Sequence, residues 1–129
     1  MAGATIAVAN AELNAHLRAT AFTGPASLFA SIHTGDPGDN GANEYTAYTG
    51  TRPSITFGPP VGKATVSTGQ LDYNNMGNTT ATPISYMGFW SAASGGTFID
   101  SIPLIVSRIT QAGDTLRFSP GAVTRTITG

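Results

Sequence analysis

From Gly58 onward the chain never runs far before a residue that breaks regular structure. Gly58-Pro59-Pro60, Gly69, Asn74-Asn75, Ser94-Gly95-Gly96, Gly113-Asp114 and Pro120-Gly121 leave only short runs between them: Ala64 to Val66, Leu71 to Tyr73, Ile84 to Trp90, Thr97 to Ile105, Thr115 to Phe118 and Val123 to Thr128. Such runs suit strands, which usually span about 3–10 residues, and are too short for helices that bury a face. Upstream the period is also that of a strand: Leu28, Ala30 and Ile32 alternate with Phe29, Ser31 and His33, and Ile55 and Phe57 with Ser54 and Thr56. Parallel pairing would need a crossover of about a dozen residues, and no helical pattern separates these runs. The fold class that follows is mainly β, an antiparallel β-sandwich. Its two long connections, Gly35 to Gly50 and Asn74 to Pro83, suit a jelly-roll-like Greek key better than a simple meander.

Only the N-terminus reads otherwise. Asn10 is placed to cap a short helix with Glu12 in its first turn and His16 and Arg18 later, the charge order that the helix dipole favours. Leu13 and Leu17 share one face, a stripe too narrow to contribute much core, and Gly24-Pro25 closes the element. Residues 1–24 are therefore an N-terminal arm and short helix, and 25–129 the sandwich, within a single domain. The stretch Ala2 to Asn10 is apolar without a core partner of its own, which makes Ile6 and Val8 candidates for contact with a neighbouring protein.

Charge excludes several partners. Charged residues make up 10% of the 129, against roughly 25% in an average soluble domain. Lys plus Arg number 6, with no basic cluster to neutralise phosphates, so no nucleic-acid partner is expected. Cysteine is absent, which removes disulfides and thiolate metal sites. No apolar run approaches the roughly 20 residues that span a bilayer, and the N-terminus lacks the basic start of a secretory signal, so no membrane partner is expected either. A surface of neutral Thr, Ser and Ala suits a chain held in an array, where copies or a substrate cover much of it.

The densest cluster of reactive residue types is LFASIHTGDPGDNGANEY, Leu28 to Tyr45, with His33, Asp36, Asp39 and Glu44. Read as a calcium loop from Asp36, it has Gly38 at the third position and Ala47 at the twelfth, where oxygen ligands are required. Zinc would need converging His or carboxylates, and the other histidine, His16, lies on the helix. The loop is better explained by turns: glycines for backbone freedom, and Asp36, Asp39 and Asn40 making local hydrogen bonds. His33 is then expected on a strand's polar face or at its end. GPPVGKA, Gly58 to Ala64, has the wrong spacing for a phosphate loop, prolines where N–H groups are needed, and Ala64 where a hydroxyl belongs. Neither GxSxG nor SxxK occurs, and nothing brings Asp72 and Asp100 together as a carboxylate pair. No catalytic residue, metal, cofactor or small-molecule substrate is expected.

Aromatic residues could still stack on sugars, Tyr45, Tyr48 and Trp90 among them. Along Ile84 to Trp90, however, Tyr86, Gly88 and Trp90 share one face and Met87 and Phe89 the other. A strand apolar on both faces is covered twice, and in a small sandwich the second cover is often another subunit. Tyr86, Phe89 and Trp90 are accordingly interface candidates in a dimer or trimer joined through Ile84–Trp90 and Thr97–Ile105. Asp36 and Asp39 mark the Gly35 to Glu44 loop as a second candidate contact.

The runs GFWSAASGGTFIDSIPL and AGDTLRFSPGAVTRTI, with LFASIHTGDPGD before them, resemble small virion structural proteins of tailed phages, commonly labelled tail-fibre-like. The resemblance spans nearly the whole chain and keeps the family's order of motifs. It implies a non-enzymatic β-sandwich component of the virion, assembled in the host cytoplasm, with jelly-roll capsid cement proteins as the nearest functional analogue. A compact module without an elongated shaft region, written as repeats or heptads, suits a capsid lattice. The expected role is therefore decoration of the head, with the major capsid protein shell and other copies of the chain as partners. The alternative is a tail-fibre or tail-associated role, with glycan or receptor binding.

Overall fold

The computed structural model describes residues 3–48 and 50–127. One helix and eight strands follow in the order α1 (Ile6–Arg18), β1 (Leu28–His33), β2 (Ser54–Ile55), β3 (Ala64–Val66), β4 (Leu71–Tyr73), β5 (Ile84–Trp90), β6 (Phe98–Arg108), β7 (Leu116–Phe118) and β8 (Thr124–Thr126). Every pairing between the described strands is antiparallel. The mainly-β class thus holds, and the turn-bounded runs become strands where their breaks placed them. The finer layout differs from a jelly roll with two four-stranded sheets: the described strands form one four-stranded sheet, in the order β2-β1-β5-β6, and two ribbons, β3-β8 and β4-β7.

One face of the four-stranded sheet carries Ala30, Ile32, Ile55, Met87, Phe89 and Ile102, and the β4-β7 ribbon supplies Leu71, Tyr73, Leu116 and Phe118 to the same core. Two layers meet there because strands this short can bury one face only against another element. The buried Tyr73 hydroxyl donates to the Ala30 carbonyl at 2.8 Å, which fixes ribbon to sheet with a bond that the phenol needs inside an apolar core. GPPVGKA, rejected above as a phosphate loop, makes the tight turn leading into β3. Gly62 and Lys63 have φ 60 and 68, and Val61 and Ala64 exchange both backbone hydrogen bonds, as in a two-residue hairpin with positive φ at both tip positions.

Strand β6 lies at the sheet's edge and outruns the expected Thr97–Ile105. Ile84 pairs with Arg108 and Tyr86 with Pro103, so Leu104 to Ser107 bulge out opposite Ser85 and leave Ile105 94% exposed. The first half of that edge is covered by the chain's own N-terminus, where Thr5 N–H donates to the Ile99 carbonyl and Ser101 N–H to the Gly3 carbonyl.

The helix begins earlier than the sequence suggests. Thr5, not Asn10, is the N-cap, its hydroxyl accepting from Val8 N–H, while the Asp39 carboxylate accepts from Ile6 N–H at 2.7 Å. Part of the capping comes from residue 39, so local sequence cannot reveal it, and the Ala-rich start reads as an arm instead. The end is also earlier: Ala19 takes a left-handed conformation, φ 53, and Thr20 N–H closes on the Asn14 carbonyl. Of the terminal runs read from sequence, Ala2 and Thr128 lie outside the described residues.

Candidate functional site

The second face of the four-stranded sheet is covered in part by the chain itself. Thr34 to Asn43 fold back over it in a loop closed at its base by the His33–Glu44 bridge, with Thr34 N–H on the Asn43 carbonyl and Tyr45 N–H on the Ile32 carbonyl. His33 ends β1 as expected but lies fully buried, because the loop covers the polar face on which it sits. Its protonation follows from its partners. Nδ1 faces the Ala42 carbonyl at 2.8 Å, which can only accept, so Nδ1 carries the hydrogen and Nε2 accepts from Ser31 Oγ at 2.6 Å. Ser31 Oγ in turn accepts from Trp90 Nε1–H at 2.8 Å. Gly88 gives this chain of bonds its room, since a Cβ there would stand 2.7 Å from both His33 Nε2 and Ser31 Oγ.

Arg52 straps the loop down. Its guanidinium donates to both Glu44 carboxylate oxygens, from Nε at 3.0 Å and Nη2 at 3.1 Å, and from Nη1 to the Ala92 and Gly95 carbonyls. It also lies 3.9 Å from the centroid of the Trp90 ring. Gly41, φ 73, packs against the same indole, where a Cβ would be 2.5 Å from Cζ2. Arg52 over the ring and Gly41 against Cζ2 and Cη2 thus cover part of Trp90, which is half-buried and not fully presented as a platform for a sugar. Among the described residues Arg52 is the functional-looking group that the sequence reading missed. Its one sequence signal was to be the lone cation between Arg18 and Lys63.

The other candidates divide. Asp36 makes the expected local turn, accepting from Gly38 N–H at 2.9 Å, whereas Asp39 is spent on the helix. Phe89 is 3% exposed in the core and so is not presented to a partner; Tyr86 and Trp90 are half-buried. Ile6 is exposed and Val8 turns toward the body. Asp72 and Asp100 are each held by their own arginine, Arg117 and Arg125, at 2.8 Å. The hydrogen bond from Arg117 holds the Asp72 carboxyl below its usual range. Among the described residues no three His, Asp or Glu side chains converge as a metal would require. Tyr45 and Tyr48 line an open hollow of 240 Å³ with Glu44, Thr51, Arg52 and Ser94. The Tyr45 hydroxyl there accepts from Gly77 N–H, and Tyr48 packs edge-on against Tyr73.

The buried imidazole makes stability depend on pH. Burial lowers the His33 pKa from its ordinary 6.5, outweighing the Ala42 hydrogen bond and Glu44, which raise it, while Arg52 lowers it further. The unfolded chain therefore binds this proton more readily than the folded one. His33's contribution to stability is complete above pH 6.5 and is lost as the pH falls from there through the lowered folded-state value. Urea titrations of wild type and His33→Gln between pH 7.5 and 5 check this: the wild type should lose midpoint more steeply across that interval. Parallel curves would count against it.

The loop from Thr34 to Asn43 is thus closed at its base by the His33–Glu44 bridge and tied through Glu44 to Arg52. A family model described as Podophage GP4 fiber I protein gp80 matches residues 3–126. No curated protein matches the chain.

Proposed function

The chain belongs to the podophage GP4 fiber I protein gp80 family, and on that premise we propose that it is a non-enzymatic subunit of the virion's tail-fibre apparatus. It is a phage virion structural protein. The observation that carries the finer reading is the near-complete span of the match to a family described as a fiber. Decoration of the head, expected from the compact sequence without a shaft, gives way to the tail-fibre alternative on that ground, since a small β module can equally be one unit of a longer fibre. The loop clamped by Arg52 supports a structural role, because its polar groups are occupied by one another and not poised for turnover.

Gold labelling of an epitope-tagged chain on intact particles tests the location. Labels confined to the tail or its fibres are expected; labels spread over the head shell would restore the decoration reading and overturn this one.

A further inference from the structure

Helix α1 carries its large apolar residues on the wrong side for its own fold. Ile6, Leu13 and Leu17 are 65%, 56% and 77% exposed, while the small Ala15 with Val8 and Glu12 turn toward the body. Glu12 there faces a hollow shared with Asp100 and Arg125. At the helical repeat, Ile6, Asn10, Leu13 and Leu17 fall within an arc of about 60° on the side away from the body. A helix that contributed only to its own domain would point such residues inward.

The spacing of these four residues is four, three, four, that of alternating d and a positions in a heptad. In that frame Val8 and Ala15 occupy the f positions opposite the seam, which are the ones facing the body. The positions flanking the seam are Ala7, Ala9, Asn14 and His16, and the fixed charge beside them is Arg18, whose guanidinium donates to the Asn14 side-chain oxygen at 3.4 Å at the helix's last turn; the first two turns of the seam are bordered by neutral residues. Asn10 sits at an a position, where a buried amide is satisfied by the same residue of a parallel, in-register partner. In an antiparallel pair it would face Leu13 and lose its hydrogen bonds.

We infer that the outward face of α1 is a docking seam for α1 of a second copy of this chain, packed parallel and in register through Ile6, Asn10, Leu13 and Leu17. This goes beyond the fibre assignment and rests on it only for the supply of neighbouring copies. A seam of two heptads covers less than the roughly 800 Å² per partner of a stable standard interface. It therefore acts between copies brought close by concentration or by the particle, where the second contact is nearly intramolecular.

The absence of cysteine makes the test direct. Leu13→Cys and Ala15→Cys place a single thiol on the seam and on the body-facing side of the full-length chain. Under mild oxidation at high protein concentration, Leu13→Cys is expected to give disulfide-linked pairs in about tenfold or greater excess over Ala15→Cys, because only the seam brings two Cβ atoms within bonding reach. In the same assay Asn10→Asp in the Leu13→Cys chain should reduce the pairs several-fold at neutral pH while the melting temperature stays that of the parent. Equal yields at positions 13 and 15, no pairs at either, or indifference to Asn10→Asp would overturn the seam. None of these bears on where the protein sits in the virion, so the gold labelling and the cross-linking fail separately.

Discussion

Phe118→Ala is expected to lower the free energy of unfolding by about 3–5 kcal/mol, the range for emptying a buried aromatic site. For a domain whose whole margin is about 5–15 kcal/mol, that moves a urea midpoint by a large fraction of its value. The reason is architectural as much as local. Phe118 is 2% exposed and lies on a three-residue strand whose ladder partner is the equally short β4. Two such strands hold little by backbone bonding, so the ribbon stays in place through its side chains. Phe118 meets Tyr73 edge to face at 6.1 Å and carries the Arg108 guanidinium 4.7 Å from its ring centroid. Losing the ring loosens the layer that closes the core over Met87 and Ile102. Tyr73→Phe, which keeps the volume and removes only the bond to the Ala30 carbonyl, should cost about 1–2 kcal/mol. A Phe118→Ala loss no larger than that of Tyr73→Phe would mean that the ribbon is not what closes the core.

Arg52→Ala should cost about 2–3 kcal/mol, and Arg52→Lys should recover little of it. The ion pair alone would not justify the figure, because Glu44 remains 30% exposed and solvent screens the pair. What distinguishes Arg52 is that one planar group satisfies a carboxylate and two carbonyls and covers an indole at once. Lysine restores the charge and none of the fork. Removal leaves the Ala92 and Gly95 carbonyls to water and uncovers Trp90, the one tryptophan of the chain. Its fluorescence then reads the same event as the unfolding curve. An Arg52→Lys chain as stable as wild type would show that charge, not shape, holds the loop.

The sequence carried the strands more fully than their mutual arrangement. Ala64–Val66, Leu71–Tyr73 and Ile84–Trp90 were legible to the residue because Gly, Pro and Asn bracket them. The bulge from Leu104 to Ser107 was not, since four apolar or small residues in a row look like more strand until a partner strand fixes the register. The double covering of β5 was visible in its composition, but not the share of it that the chain itself supplies. Another subunit was expected over Tyr86, Gly88 and Trp90, and the loop from Thr34 to Asn43 of the same chain covers part of that face, at Trp90 and at the His33 ring beside Gly88. A loop of Gly, Asn and Asp carries no hydrophobic signature; it covers the face through glycine contact at Gly41 and a backbone carbonyl at Ala42. Asp39 shows the same limit from the other side. Its type suggested a turn or a ligand, and only the fold reveals that it completes a helix beginning 33 residues earlier.

The N-terminal residues lying along β6 have a consequence for that edge of the sheet. An open strand edge is a template, and identical subunits crowded together tend to grow from such edges without limit. Here Gly3 and Thr5 occupy the edge at Ser101 and Ile99, Pro103 offers no N–H, and the bulge from Leu104 to Ser107 twists the remainder out of line. This edge of the four-stranded sheet is thereby closed to backbone pairing, which would first have to displace the N-terminal residues. At this edge the chain serves as its own cap, so a neighbour meeting it there finds side chains and not a free backbone ladder.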